Sequence, residues 1–235
     1  MVQGGFIVSV FDLVFPRRCV SCGIFGRYFC AACRFKVHRI PSNESICPVC
    51  ERPAIDGATH PRCRTRYTLD GLTSFFRYEG IVRVAVRTLK YRFVSDLGEE
   101  FISLVSDECI QSVLLRAGEH AVLVPVPLHR TRLLERGFNQ AEILAVALSG
   151  RLHLPIRTDM LCRTKKTAPQ VGMKKREARI KNMTAVFAVR SGIDLKNAHV
   201  VLFDDVCTTG ATLRSAAGAL KRSGAVSVWA VTMAR

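Results

Sequence analysis

The sequence predicts an α/β protein: a mostly parallel sheet flanked by helices, preceded by a small cysteine-rich module. Three observations carry that expectation. Seven of the ten cysteines fall between positions 19 and 63, in close pairs. From residue 68 onward, short apolar and β-branched runs alternate with segments of helical periodicity, the order that builds a parallel sheet covered on both faces. One run, from His199, ends in two adjacent aspartates and a threonine–glycine turn before a helical segment begins. A chain of 235 residues has room for one good-sized domain plus a module. The expected division is 1–66 for the module with its leading segment and 67–235 for the α/β domain.

The module is defined by four pairs at two-residue gaps: Cys19 and Cys22, Cys30 and Cys33, Cys47 and Cys50, His60 and Cys63. Such a gap lets both side chains of a turn face one tetrahedral ion at about 2.3 Å for sulfur. Two pairs complete a structural zinc site, so these eight candidate ligands provide for one or two Zn²⁺. A single Cys-x-x-Cys fits a redox pair equally well; four such pairs between residues 19 and 63 favour metal. Few apolar residues lie between the pairs, and a segment this small needs a metal to fold. His60 follows the flexible stretch 56–59, and an ordinary exposed imidazole is the alternative there. Spacing leaves open which pairs share an ion. Cys109 and Cys162, in apolar surroundings, are expected as small buried hydrophobes.

No run approaches the ~20 apolar residues of a membrane span. Residues 6–15 are apolar but lack a basic leader and a cleavage motif. A cytoplasmic, reducing location is therefore expected, where paired cysteines bind metal rather than each other.

The domain then unfolds in order. Residues 68–78 predict a strand or hairpin, 81–89 a helix, and 97–115 a helical stretch ending by Gly118. Residues 121–127, bounded by prolines, predict a buried strand, and 139–152 a helix rich in Ala, Leu, Ile and Val. Residues 163–182 are basic and turn-rich, becoming helical from Lys174. Strands are expected at 184–189, 199–203 and 226–232, with a helix at 211–222.

The net charge of +16 resides in two regions: residues 16–66 carry ten Lys/Arg against three acids, and residues 128–182 thirteen against four. Two basic regions point to two places for phosphate-rich partners. The most informative segment is 199–212. An apolar strand reaches Asp204 and Asp205, followed by Val206, Cys207, Thr208, Thr209, Gly210, Ala211 and Thr212. A helix N-terminus there presents unpaired amide N–H groups to a phosphate. The threonines add hydroxyl donors, and Gly210 admits close backbone approach. Phosphate repels carboxylates, so the aspartates are matched to vicinal hydroxyls, to which they can only accept hydrogen bonds. A helix cap needs one aspartate, not two beside three threonines.

Residues 200–212 resemble the binding motif for 5-phosphoribosyl-1-diphosphate (PRPP) in type I phosphoribosyltransferases. With the cysteine pairs, the chain resembles the ComF family of competence-associated proteins, in which a double zinc-ribbon module precedes a phosphoribosyltransferase domain. Three further segments match. Residues 124–140, with Arg132 and Arg136, are similar to the family's strand and diphosphate-side loop. Residues 163–187, with Thr167, Gln170, Arg179 and Asn182, are similar to the loop that closes over the site. Residues 89–92 resemble a Leu-Lys-Tyr element. The resemblance implies a type I phosphoribosyltransferase fold, with Arg179 and Lys90 in catalysis and Mg²⁺ bound with PRPP. Two departures stand out: His60 where the last pair commonly begins with Cys, and Cys207 in the turn, oxidation-sensitive if exposed.

The acceptor nucleophile is not legible, and transferase turnover is one of three readings. The second is a nucleic-acid-associated protein that senses PRPP or has lost turnover, with single-stranded DNA on the basic module. Only Phe25, Tyr28, Phe29 and Phe35 offer stacking surfaces between the cysteine pairs. The third is a docking adaptor for a competence helicase or another DNA-uptake protein. A homodimer is also allowed for.

Overall fold

The computed structural model describes residues 16–91, 95–118, 120–164 and 186–235. Four strands form one parallel sheet in the order β1–β6–β5–β2, with β1 at Gly71–Phe76, β2 at Val122–Pro125, β5 at His199–Val206 and β6 at Ser227–Ala234. A separate antiparallel pair joins β3 (Leu161–Arg163) to β4 (Phe187–Val189). The helices are α1 (Ala31–Arg34) in the module, then α2 (Gly80–Tyr91), α3 (Ser95–Ile102), α4 (Asp107–Ala117), α5 (Arg130–Arg136), α6 (Gln140–Leu152) and α7 (Ala211–Arg222).

Strand alternation divides the core in two. Along β5, Val201 and Phe203 join Trp229, Val231 and Met233 of β6 on one face, packed with Leu89, Leu97, Val113, Leu144 and Leu148 from the helices. Val200 and Leu202 join Val228 and Ala230 on the other, against Leu213, Ala216, Ala217 and Leu220 of α7. A sheet buried on both sides explains the near-continuous apolar runs of β5 and β6.

Several boundaries differ from expectation for local reasons. The 97–115 stretch is two helices, because Ser106 caps α4, its side chain accepting a bond from the Cys109 amide at 3.4 Å. The strand expected at 199–203 runs to Val206, so the aspartate pair lies within the end of β5. Arg132 and Arg136 belong not to a loop but to the short helix α5, stopped by Gly137 in the left-handed conformation. Of the strand expected at 184–189, residues 187–189 are β4; residues 165–185, including the helix expected from Lys174, lie outside the described residues. Cys109 and Cys162 are half-buried rather than buried. Cys162 Sγ lies 3.5 Å from the Ala188 carbonyl oxygen, because it sits on the open β3–β4 pair rather than in the sheet core.

The module is stitched to the exposed edge of β1. Ile40 N–H donates to Phe75 O and Arg77 N–H to His38 O, both at 2.9 Å, and Thr59 N–H donates to Asp70 O at 2.9 Å. An open strand edge is thereby engaged at both ends, with Leu72, Thr73 and Ser74 lining a small cavity between the two contacts. The segment around the first two cysteine pairs also joins the core: Phe29 stacks on Phe101 at 5.4 Å between centroids, and Phe101 on Phe76 at 5.7 Å. Glu100 accepts the amide hydrogens of Tyr28 and Phe29 at 3.0 and 2.9 Å.

Candidate functional site

Strand β5 delivers Asp204 and Asp205 to the carboxyl end of the sheet, where open α/β sheets hold ligands. The Cys207 amide donates to Ala234 O at 2.9 Å, prolonging the pairing with β6. The chain then turns through Gly210, whose φ of 63° suits glycine, into α7. The N-cap of α7 is Gly210, which has no side chain to satisfy the helix's first amides, and such amides suit an external acceptor. Thr209 Oγ1 is buried without a hydrogen-bond partner among the described residues.

A cavity of about 340 Å³ opens beside this turn. Asp204, Asp205, Val206, Thr208 and Thr212 form one wall; Lys90, Arg132, Arg136 and Arg163 bring four cations to it, with Tyr78 and Gln140 between. Of the residues expected to meet ligand, Cys207, Thr209 and Gly210 instead line a second cavity of about 240 Å³, which Thr208 also borders. Ala211 is buried in the α7 face of the core. Arg179, together with Thr167, Gln170 and Asn182, lies outside the described residues.

The two aspartates differ sharply in environment. Asp205 is met by the Lys90 ammonium at 2.9 Å and accepts from Gln140 Nε2 at 3.2 Å and from the Val206 amide at 2.8 Å. Arg136 in turn donates to Gln140 Oε1, completing a chain from arginine to carboxylate. Asp204 accepts from the Asp205 amide at 2.9 Å. Burial drives the Asp204 carboxyl well above the usual range, and the neighbouring Asp205 charge adds to it. For Lys90, burial acts to lower the pKa, but the Asp205 carboxylate outweighs it and the net direction is upward. Burial lowers Arg136 and Arg163 from their ordinary values, yet guanidinium stays charged at neutral pH. Burial also pushes the Cys207 thiol up to about 11, with Asp204 adding to it. At 6% exposure it is a protected neutral thiol, without the reactivity an exposed sulfur would have.

The cysteine pairs gather into two clusters: Cys19, Cys22, Cys30 and Cys33 in one, Cys47, Cys50, His60 and Cys63 in the other, with ligand atoms within 4.8 Å of each other. Four sulfurs around zinc stand about 3.8 Å apart given Zn–S near 2.3 Å; Cys22 and Cys30 sulfurs are 3.6 Å apart, and Cys50 Sγ is 3.3 Å from His60 Nδ1. His60 is therefore a member of the second cluster. Its Nε2 lies 3.0 Å from Pro53 O; a carbonyl only accepts, so Nε2 carries the proton and Nδ1 offers its lone pair. Burial raises the Cys19 pKa, but the amides of Cys22, Cys30 and Ser21 outweigh it and hold the thiol near 6. In the second cluster, Cys63 is pushed up to about 11 by desolvation and then by Cys50 and Cys47. Crowded sulfurs that repel one another as thiolates are what a divalent cation relieves. Both donor sets fit Zn²⁺.

Two site residues escaped the sequence reading. Gln140 stands at the start of a helix and carries no chemical pattern; only its 65-residue reach to Asp205 gives it a role. Arg214 looks like an ordinary helix arginine, yet its Nη1 donates to both Pro48 O and Thr209 O at 2.8 Å, joining module to turn.

Comparison with known proteins follows the same division. Residues 10–64 match the double zinc ribbon domain family, and residues 133–235 match the phosphoribosyl transferase domain family. The chain is 33% identical to "Competence protein ComFC" of Bacillus subtilis (strain 168) over 224 residues, covering 88% of this chain and 83% of that one. It is 29% identical to "DNA utilization protein YhgH" of Escherichia coli O157:H7 over 199 residues, 80% of this chain and 84% of the relative. "Competence protein F" of Haemophilus influenzae aligns at 33% over 114 residues, about half of each chain. With zinc-ribbon ligands assembled in two clusters ahead of a phosphoribosyltransferase sheet, and kinship running through most of its length, this chain belongs to the ComF family.

Proposed function

We propose that the cavity at the end of β5 binds PRPP. The observation that carries this is one cavity in which a carboxylate pair and a phosphate-type turn face three arginines and a lysine. In this reading the 5-phosphate meets Thr208, Thr212 and the first amides of α7. The ribose hydroxyls donate to Asp204 and Asp205, and the diphosphate extends toward Arg132, Arg136 and Arg163. Cys207, Thr209, Gly210 and Ala211, first expected to bind the ligand, shape the turn in this reading. Mg²⁺ fits as a companion of the diphosphate, since it prefers phosphate oxygens and water to an all-protein cage. Lys90 releases Asp205 as ribose arrives, and Arg179 acts from the segment that follows β3.

If turnover occurs, a nucleophile forms its bond to C1 as the bond from C1 to the diphosphate oxygen breaks. The electron pair leaves with diphosphate, and the arginines stabilise that growing charge. No residue in the cavity identifies the acceptor. The relatives' names, competence protein and DNA utilization protein, support a place in the uptake or use of DNA, and we place that work in the cytoplasm. Among the described residues no helix is long and apolar enough to cross a membrane.

Calorimetric titration with PRPP and Mg²⁺ tests the reading against an Asp204→Ala/Asp205→Ala double variant. Micromolar binding, about −8 kcal/mol, that disappears in the variant supports it. A folded, zinc-loaded wild type that does not bind sinks it.

A second observation favours DNA as an additional partner. A groove of about 950 Å³ between the first ribbon and the domain carries Arg27, Arg34 and Arg39, with His38 and Phe35 beside them and Arg77 paired to Glu44 at its rim. Phe35 is 89% exposed, an unusual place for a phenyl ring, and an aromatic beside arginines suits a stacked base on a phosphate chain. Affinity for single-stranded DNA falling steeply with salt would support this. A competence helicase, or a second copy of the chain, remains a partner to be sought by nuclease-treated pull-down and by sedimentation.

A further inference from the structure

The second metal cluster and the phosphate turn are mechanically one unit. The knuckle Cys47–Cys50 sends the amides of Val49 and Cys50 toward the Cys47 sulfur. A trans peptide is planar, so the carbonyl of Pro48 points opposite to the Val49 N–H, away from the metal cluster. That outward carbonyl is taken by Arg214 Nη1 at 2.8 Å, and the same nitrogen takes Thr209 O at 2.8 Å. One guanidinium nitrogen thus bridges a carbonyl of the knuckle and a carbonyl of the turn. The fit is close: a Cβ placed on Gly210 would stand 3.1 Å from Arg214 Nη1 and 3.3 Å from Pro48 O. Arg214 lies in the first turn of α7, whose N-terminus the turn feeds, and its own amide bonds Gly210 O at 2.9 Å. The knuckle also walls the cavity behind the turn, with Ile46, Pro48 and Glu51 facing Cys207 and Thr209.

We propose that Arg214 is a positioning residue through which occupation of the second zinc site sets the shape, and hence the PRPP affinity, of the phosphate turn. The proposal rests on the PRPP reading above. Its physical content is that the Pro48 carbonyl holds its direction only while the knuckle amides are fixed around a metal-bound sulfur. When the metal leaves, Arg214 loses one anchor and Thr209 O follows the guanidinium. Coupling of this kind is reciprocal in affinity: PRPP must tighten zinc binding at the second cluster by the factor that zinc strengthens PRPP binding, and slower zinc release is the expected sign of it.

The test uses the full zinc-loaded chain. Wild type, Arg214→Met (which keeps the apolar stem), Arg214→Lys, Cys63→Ser and the Arg214→Met/Cys63→Ser pair are titrated calorimetrically with PRPP and Mg²⁺. Zinc release to a chromophoric chelator is followed with and without PRPP, and folding is checked by circular dichroism. The expected result is an affinity loss of about tenfold for Arg214→Met, within the usual range of coupling between two sites, with two zinc ions still bound. Cys63→Ser loses a similar factor with one zinc ion bound, the pair loses no more than either alone, and Arg214→Lys regains part of the loss. PRPP slows release of one of the two ions in wild type and of neither in Arg214→Met. Wild-type affinity in Arg214→Met, or single losses that multiply in the pair, overturns the coupling while leaving PRPP binding intact. If Cys63→Ser does not fold, the zinc-release comparison between wild type and Arg214→Met decides alone. Failure of wild type to bind PRPP overturns both readings.

Discussion

The two metal clusters share the Cys-x-x-Cys rhythm and differ in what surrounds them. In the first, Cys19 and Cys33 are 3% exposed and belong to the main apolar core, with Phe29 stacked on Phe101 and Glu100 holding two amides of the ribbon. The second, though its Cys47 is fully buried, lies outside that core and is joined largely by polar contacts, Arg214 on Pro48 O, Thr59 on Asp70 O and Arg235 on Glu44 O, with Ile46 and Ala58 as its apolar neighbours of the core. One cluster is therefore a part of the fold's foundation; the other, in the reading proposed above, supports a ligand site. Identical ligand spacing says nothing about which task a metal performs; the neighbours decide it.

The largest effect should come from the foundation. Phe101→Ala removes a fully buried ring that stacks on both Phe29 and Phe76. A loss of about 3–5 kcal/mol should lower the melting temperature by roughly 10 °C, with the first zinc ion becoming easier to extract. A calorimetric scan shifted by less than about 2 °C would break the comparison, because the first ribbon would then be an appendage.

A smaller effect of opposite sign is expected beside the second cluster. Asp204 is half-buried beside the buried Asp205 and desolvated there, and a carboxyl whose folded pKa lies above its unfolded value holds full stability only below the unfolded value. That stability is lost as pH rises through the folded value. Asp204→Asn does not titrate, so its advantage should be near zero in acid and grow with pH, to on the order of 1–3 kcal/mol, while PRPP binding is lost. Melting curves across pH check the sign. A flat difference would show that charge repulsion is not what loads this side of the molecule, and the Phe101→Ala penalty should be flat over the same range.

The smallest expected effect sharpens the comparison further. His60→Cys supplies a fourth sulfur but forfeits the bond from Nε2 to Pro53 O. Zinc stoichiometry should stay at two per chain and PRPP affinity should change by less than about twofold, an outcome of swapping one zinc ligand type for another. Loss of the second zinc by elemental analysis would mean the imidazole geometry is indispensable.

What could be seen in the sequence was local. The run from His199 to Thr212 exposes strand, acids, turn and helix within 14 residues, and the structure keeps that order. The cysteine pairs were visible, while their partition was not, since four equal gaps allow any pairing. Lys90 and Asp205 meet across 115 positions, and Arg214 and Pro48 across 166; no periodicity encodes such meetings, which follow from strand order. The break between α3 and α4 hid because both helices are apolar on one face and the short connection 103–106 carries the apolar Leu104 and Val105, leaving the Ser106 cap as the local signal.

The sheet order has a consequence for how the molecule is made. Strand β1 is hydrogen-bonded to β6, and about 150 residues separate them in the chain. At roughly 5–20 residues per second of synthesis, β1 waits on the order of 10–30 s for its only strand partner in the sheet. The ligands of both metal clusters are complete by Cys63, before β1 has been translated. The module pairs with the β1 edge that faces away from β6, so a metal-loaded module covers that edge during the wait while the β6-side edge stays open.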